Sequence, residues 1–345
     1  MTSDMTSETV DPVADPRWRE LVEAAPGASI FHHPSWIGLL RDQYRYEPQA
    51  WAVADTSGRL VAGLPLVRVS TRLTSARLVA LPFSDVCPPL CLAECPDAEE
   101  ALWRLVAQRR QDSGLPLEVR FGVDVDDARP VASYRHHLLA LSPDVDEVRA
   151  GFRSQVRRNV AKAQRTELVT ARETDAQGLA DFYSLHLRTR RRQGVPTQPR
   201  SFILGFERLF DEGLGFVQTV RLAGEPVAAA VFLVAAGTIT YKYGASDVAY
   251  QRLRPNNLLL MAVIEWACQQ RLRTLDFGRS DEGNEGLRGF KRSWGASELP
   301  LTYSSLGAEP GREHAGLERA IAQVIRRTPP FVGRWIGEAL YRHAG

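Results

Sequence analysis

Residues 276–295, DFGRSDEGNEGLRGFKRSWG, bring acids, glycines and a terminal Phe290–Lys291 pair with Trp294 into one short stretch. Paired carboxylates cleave glycosidic bonds when two of them are held at a defined gap. Spacing along the chain sets no such gap, so Asp276 reads as structural at a strand end, and Asp281, Glu282 and Glu285 as a solvated loop. Lysines are mostly exposed, and on residue type alone Lys291 reads as a surface charge beside a core ring.

Other groups point towards anions. Tyr241 and Tyr243 flank Lys242, and the two-residue period of a strand puts both phenols on one face, where they could line a pocket or pack at its rim. The loop SDVAYQRLRPNN precedes an apolar helix, with Asn256 and Asn257 at the capping position after Pro255. A helix starting beside a strand end presents open N–H groups that suit a phosphate or an oxyanion. Arg157, Arg158 and Lys162, with Arg188, Arg190, Arg191 and Arg192, form either a patch for a tRNA acceptor stem or other anion, or two solvated helix faces. Cys87, Cys91 and Cys95 recur every four residues among prolines with no histidine nearby, and together with Cys268 they read as reduced, buried thiols rather than a metal site. His32 and His33 precede a proline and read as capping or packing residues. No Ser-His-Asp set or nucleophile elbow is present.

The elements that must position these groups show in two similar places. WAVADTSGRLVAGLPLVRVS (51–70) and FVQTVRLAGEPVAAAVFLVAAGTITYKYGA (216–245) are strand runs around Ser-Gly and Ala-Gly turns, each following a helical segment, which predicts a duplicated α/β unit. In the second copy the order continues as strand, basic loop, helix LLLMAVIEWACQQ and short strand TLDFG. A chain of 345 residues, 44% hydrophobic and 24% charged, suits two domains. A net charge of +2 leaves any nucleic-acid or membrane contact to local patches. The acidic N-terminus lacks the design of a secretory signal and no run is long enough to span a bilayer, so a cytoplasmic protein is expected.

The strand–loop–helix order resembles the GNAT acyltransferase fold, whose Gln/Arg-x-x-Gly-x-Gly/Ala loop holds a coenzyme A pyrophosphate. Here the matching donor-binding positions are Gln251, Arg252, Arg254 and Asn256. The motif's glycines are absent, and Pro255 removes a donor. Over nearly the whole chain, SIFHHPSWIGLL, FRSQVRRNVAKAQR, RTRRRQGVPTQPRSF, YKYGASD and LDFGRSDEGNEGLRGFKRSWG together resemble the Fem family of aminoacyl- and acyltransferases.

The resemblance implies an α/β fold of two tandem GNAT-like domains, each a mixed sheet flanked by helices. The expected divisions are an unstructured stretch 1–14, a first domain 15–150, a second domain 151–308 carrying the main site, and a helical tail 309–345. It implies amide formation from aminoacyl-tRNA or acyl-CoA as donor substrate, with no tightly bound cofactor. The acceptor would be an amine on a small-molecule or lipid-linked precursor. The tail, packed on its own domain or lying on a membrane surface, is the candidate for peripheral membrane contact. By the same resemblance Lys291, Phe290 and Tyr243 make up the catalytic set, Lys291 steadying charge at the carbonyl or the leaving oxygen and Tyr243 contacting substrate. Tyr241, Ser246, Arg200 and Trp36 are substrate-binding candidates, Arg200 at the acceptor's phosphates, and Gly244 would let a ligand approach the backbone. A plain acyl-CoA N-acyltransferase and a non-catalytic binding scaffold are the alternatives.

Overall fold

The computed structural model describes residues 5–70 and 76–307, with 323, 325, 326, 328, 336 and 337. Two compact units separate: the chain up to Ser133 with residues from Leu301, and Tyr134–Pro300 with the described residues from 323 to 337. The division therefore falls inside strands and not at residue 150. A unit is defined by which strands and helices pack together, and a strand can end in one unit having begun in another. Most of the tail expected over 309–345 lies outside the described residues.

The first unit holds β1 (Thr6–Val10), α1 (Pro16–Ala24), α2 (Pro34–Tyr44), β2 (Pro48–Ala54), β3 (Leu60–Val69), β4 (Arg77–Val79), β5 (Leu90–Cys91), α3 (Ala98–Ser113) and β6 (Leu117–Val119). Its strands run in the order β1-β2-β3-β4-β6, with β5 on β3. The β2–β3 hairpin turns where the sequence places it, with Asp55 capping the Ser57 and Arg59 amides. Residues 1–14 are not unstructured throughout. Thr6–Val10 pair antiparallel with β2 from Thr6↔Ala54 to Val10↔Ala50. Arg17 holds Glu8 of that strand through two bonds of 2.9 Å. A polar segment can form an edge strand because the ladder is made by backbone groups. Trp36 is a correction of another kind. It is fully buried and packs edge-on to Phe31 at 5.4 Å, so it belongs to the core.

The second unit comprises the end of β7 (Ala128–Ala140), then α4 (Val145–Ala150), α5 (Ser154–Gln164), β8 (Val169–Glu173), α6 (Ala176–Gln193), α7 (Arg200–Leu204), α8 (Glu207–Asp211), β9 (Gly215–Leu222), β10 (Glu225–Ala235), β11 (Thr238–Ser246), α9 (Pro255–Gln269), β12 (Thr274–Asp281), α10 (Glu285–Ser293) and the start of β13 (Ser297–Leu306). The sheet order is β7-β12-β11-β10-β9-β8. Both Ala-Gly turns adopt positive φ at each central residue, 49° and 86° at Ala223–Gly224, 50° and 75° at Ala236–Gly237. That is the tight hairpin turn matching strand twist. The apolar helix α9 buries Leu259, Leu260, Val263 and Ile264 with α5's Val156 and Val160 on one face of the sheet. No described helix is long and apolar enough to cross a membrane.

Candidate active site

Strands β11 and β12 are parallel neighbours, paired only from Thr238↔Thr274 to Thr240↔Asp276. Beyond that, 241–246 and 277–281 continue as strands without pairing to each other. Their carboxyl ends therefore part, and such a gap is where open α/β sheets take ligands. The second unit's candidates lie on β11, on α10, on the loop that leaves β11 and, for Asn256, in the first turn of α9, with Arg200 apart on α7.

A bulge decides where the tyrosines go. Val231 pairs with Tyr243 and the next residue, Phe232, pairs with Tyr241, so Lys242 is the extra residue. Directly paired residues share a face, which places Tyr241 and Tyr243 on opposite faces of the sheet instead of one. Tyr241 joins the α9 face, 5.1 Å from Phe232 and 6.3 Å from Phe277, and burial pushes its phenol up to about 12. Tyr243 meets His186 of α6 at 5.7 Å and Phe206 at 6.2 Å. Gly244 does not open the backbone to a ligand either, because the Tyr241 phenol already lies over it where a Cβ would stand.

On β12 a second irregularity falls between Asp276 and Arg279 in the register with β7. Asp276 accepts the Gly278 N–H at 2.7 Å and pairs with His136 at 2.7 Å. Lys291 is buried, and its ammonium donates to the carbonyls of Gly278 and Arg279 at 2.9 and 3.0 Å. It is thus no surface lysine. The helix α10 delivers it: Asn284 caps the Leu287 amide and Glu285 sits in the first turn. Phe290 and Trp294, one turn apart, lay their rings against the core beside it. His137, fully buried, bonds Glu298 at 3.0 Å, and burial followed by the charge of Lys291 lowers its pKa. Arg288 clasps the same Glu298 through bonds of 3.0 and 2.7 Å and pulls that carboxyl down to about 2.

The loop after β11 runs through a 3-10 turn, Val248–Leu253, into α9. Arg254 takes the left-handed conformation at φ 64° and is itself the N-cap residue, with Pro255 at the first helical position. Asn256 and Asn257 are therefore inside the helix and do not cap it. Pro255 lacks an N–H, and Asn257 and Leu258 return theirs to the Arg254 carbonyl. With one N–H missing and two occupied, this first turn is a poor backbone cradle for a pyrophosphate. The Asn256 side chain donates to the Ser246 hydroxyl at 3.3 Å, while Gln251, Arg252 and Arg254 are exposed.

Side chains supply what the backbone does not. A cavity of about 470 Å³ opens where the last turn of α6 meets the end of β11, lined by Arg188, Arg191, Arg192, Arg326, Ser246 and Asp247. Asp247 pairs with Arg188 at 3.2 Å, Arg192 reaches the Ser246 carbonyl at 3.4 Å, and Arg326 holds the Gln193 carbonyl at 3.0 Å. One carboxylate against four guanidiniums leaves the cavity positive. Planar forks of this kind suit phosphate oxygens. The basic residues of α5 do not contribute: Arg157, Arg158 and Lys162 are solvated on the α9 side of the sheet, whereas α6 packs on the Tyr243 side. Arg200 is exposed at the start of α7 and does not line the cavity. Sequence reading missed Arg326 and His137; nothing local marks either, because their partners lie far along the chain.

An acetyltransferase (GNAT) domain model matches residues 150–292. No curated protein matches the chain. Among solved structures, FemX superposes with a TM-score of 0.70 at 15% identity, over 92% of this chain and 100% of that one. L-PGS from Bacillus licheniformis gives 0.55 at 12% identity, over 92% and 97%. A tandem GNAT protein from the clavulanic acid pathway gives 0.54 at 13% identity, over 90% and 100%. The fold is that of tandem GNAT proteins of the Fem type.

Proposed function

For a chain that carries a GNAT-type acetyltransferase domain within a FemX-like fold, we propose amide-bond formation: transfer of an aminoacyl group from aminoacyl-tRNA to an amine of a cell-envelope or natural-product precursor. The observation that carries this reading is the arginine-lined cavity at the end of β11 next to a helix start with few open amides. A donor whose phosphates are spread along a nucleic-acid strand is gripped by side chains, while a compact pyrophosphate calls for the amide cradle that Pro255 disrupts.

In this reading the acceptor amine attacks the donor ester carbonyl in the gap between β11 and β12. A C–N bond forms, the carbonyl oxygen becomes an oxyanion, and collapse expels the ribose oxygen, which takes up the proton lost by the amine. Lys291 places a positive charge against β12 at that gap and steadies both oxygens as negative charge develops. Phe290 and Trp294 fix its helix against the core. Arg188, Arg191 and Arg192 hold the donor backbone, and Tyr243, on their side of the sheet, packs beside it.

The test offers the purified protein, at fixed moderate salt, a labelled aminoacyl-tRNA pool and labelled acyl-CoA with candidate amines. The expected result is ribonuclease-sensitive loss of ester label with gain of amide product. Consumption of acyl-CoA with tRNA ignored overturns the donor assignment in favour of a plain N-acyltransferase. Binding without turnover of either donor leaves a scaffold.

A further inference from the structure

The first unit contains a cavity of its own, about 570 Å³, between α3 and the segments that follow β6 and precede β5. Its walls are apolar and aromatic: Trp103 and Phe121, with ring centroids 6.1 Å apart, together with Pro88 and the Cys91 thiol. Every charged residue lining it is an acid, Glu99 from α3 and Asp124 from the loop after β6, and neither has a basic partner among the described residues. The negative charge is felt inside, since the Cys91 thiol is pushed up to about 11, by burial first and by Glu99 second. Both carboxylates are exposed to solvent, and a half-buried indole face beside them is the chemistry that recognises a cation with an apolar stem.

We propose that this cavity is a binding site for a primary organic ammonium, its hydrocarbon part between Trp103, Phe121 and Pro88 and its charge between Glu99 and Asp124. The volume lies within the range of small-molecule sites, about 300–1,000 Å³. The inference does not depend on the donor or on the transfer reaction.

Phenethylammonium and 3-phenylpropionate, similar in size and opposite in charge, are titrated calorimetrically into the full chain. In parallel, alkylation of Cys91 by iodoacetamide is followed peptide by peptide, with Cys95 as the internal reference. Saturable binding of the ammonium alone, slowed alkylation of Cys91 but not Cys95, and at least about a tenfold loss of affinity in the Glu99→Gln/Asp124→Asn variant are expected. Equal binding of both probes, or ammonium binding that leaves Cys91 labelling unchanged, overturns the proposal. Gly27 lines the cavity and has open space where a Cβ would stand, so Gly27→Phe should fill it and abolish binding without disturbing the fold. Retained binding in that variant, with its circular dichroism unchanged, also overturns the site.

Discussion

Lys291 is one of only three lysines in a chain with 43 basic Lys and Arg residues, and it is buried. Burial of an ammonium is tolerated only when hydrogen bonds compensate, which the Gly278 and Arg279 carbonyls do. Lys291→Met keeps the stem and removes the donor. It should destabilise the protein by about 1–3 kcal/mol in urea unfolding, because those carbonyls lose their partner, and lower turnover on the order of 100-fold per folded molecule. Turnover unchanged after correction for the folded fraction would leave Lys291 a purely structural residue. Arg254 makes a complementary case. It stands where the GNAT loop carries glycine and adopts the left-handed conformation that glycine adopts without cost. Arg254→Gly should raise stability by about 0.5–1 kcal/mol, read as a higher denaturation midpoint at constant slope.

Strand β11 and helix α6 position the candidate residues at the next scale. The bulge at Lys242 sends Tyr241 into the α9 core and Tyr243 towards α6, and Gly244 accommodates the Tyr241 ring. Gly244→Ala should cost about 1–3 kcal/mol by overpacking. In combination with Tyr241→Leu the cost should fall below the sum of the single changes, a coupling that a double-mutant cycle measures. At the end of α6, the arginines face the helix's own carbonyl terminus and also line the cavity, so charge there is partly helix stabilisation and partly binding. If the cavity grips a nucleic-acid backbone, each of Arg191→Gln and Arg192→Gln should reduce the slope of log affinity against log salt by about 1, with little change in thermal stability. A donor affinity insensitive to salt would remove the cavity from donor binding.

Across the whole molecule, acid sensitivity is built into both units. His32 in the first and His186 in the second are buried neutral, with pKa values lowered to about 4 and about 3, chiefly by desolvation. Their ordinary value is 6.5, so below it the unfolded chain binds protons that the folded chain refuses, and stability falls as pH drops from 6.5 towards 3. Glu298 acts at the lower end: its carboxyl is held at about 2, so the stability it contributes is present above its ordinary 4.5 and is lost as pH falls from there towards 2. The unfolding temperature should decline between pH 6.5 and 4, and His32→Gln with His186→Gln should flatten that decline. The sequence by itself determined the hairpins, the basic loop leading into an apolar helix and the Phe290–Lys291 pair, because periodicity and Ala-Gly turns are local properties of the chain, and its short motifs carried the resemblance that implied a tandem GNAT-like fold. Tertiary structure alone decided that Thr6–Val10 is a strand, that Trp36 is core, that Tyr241 and Tyr243 part company, and that Arg326 joins the α6 arginines. Each of these depends on a partner distant in sequence or on one unpaired strand residue, and a single bulge reverses the face of every residue beyond it.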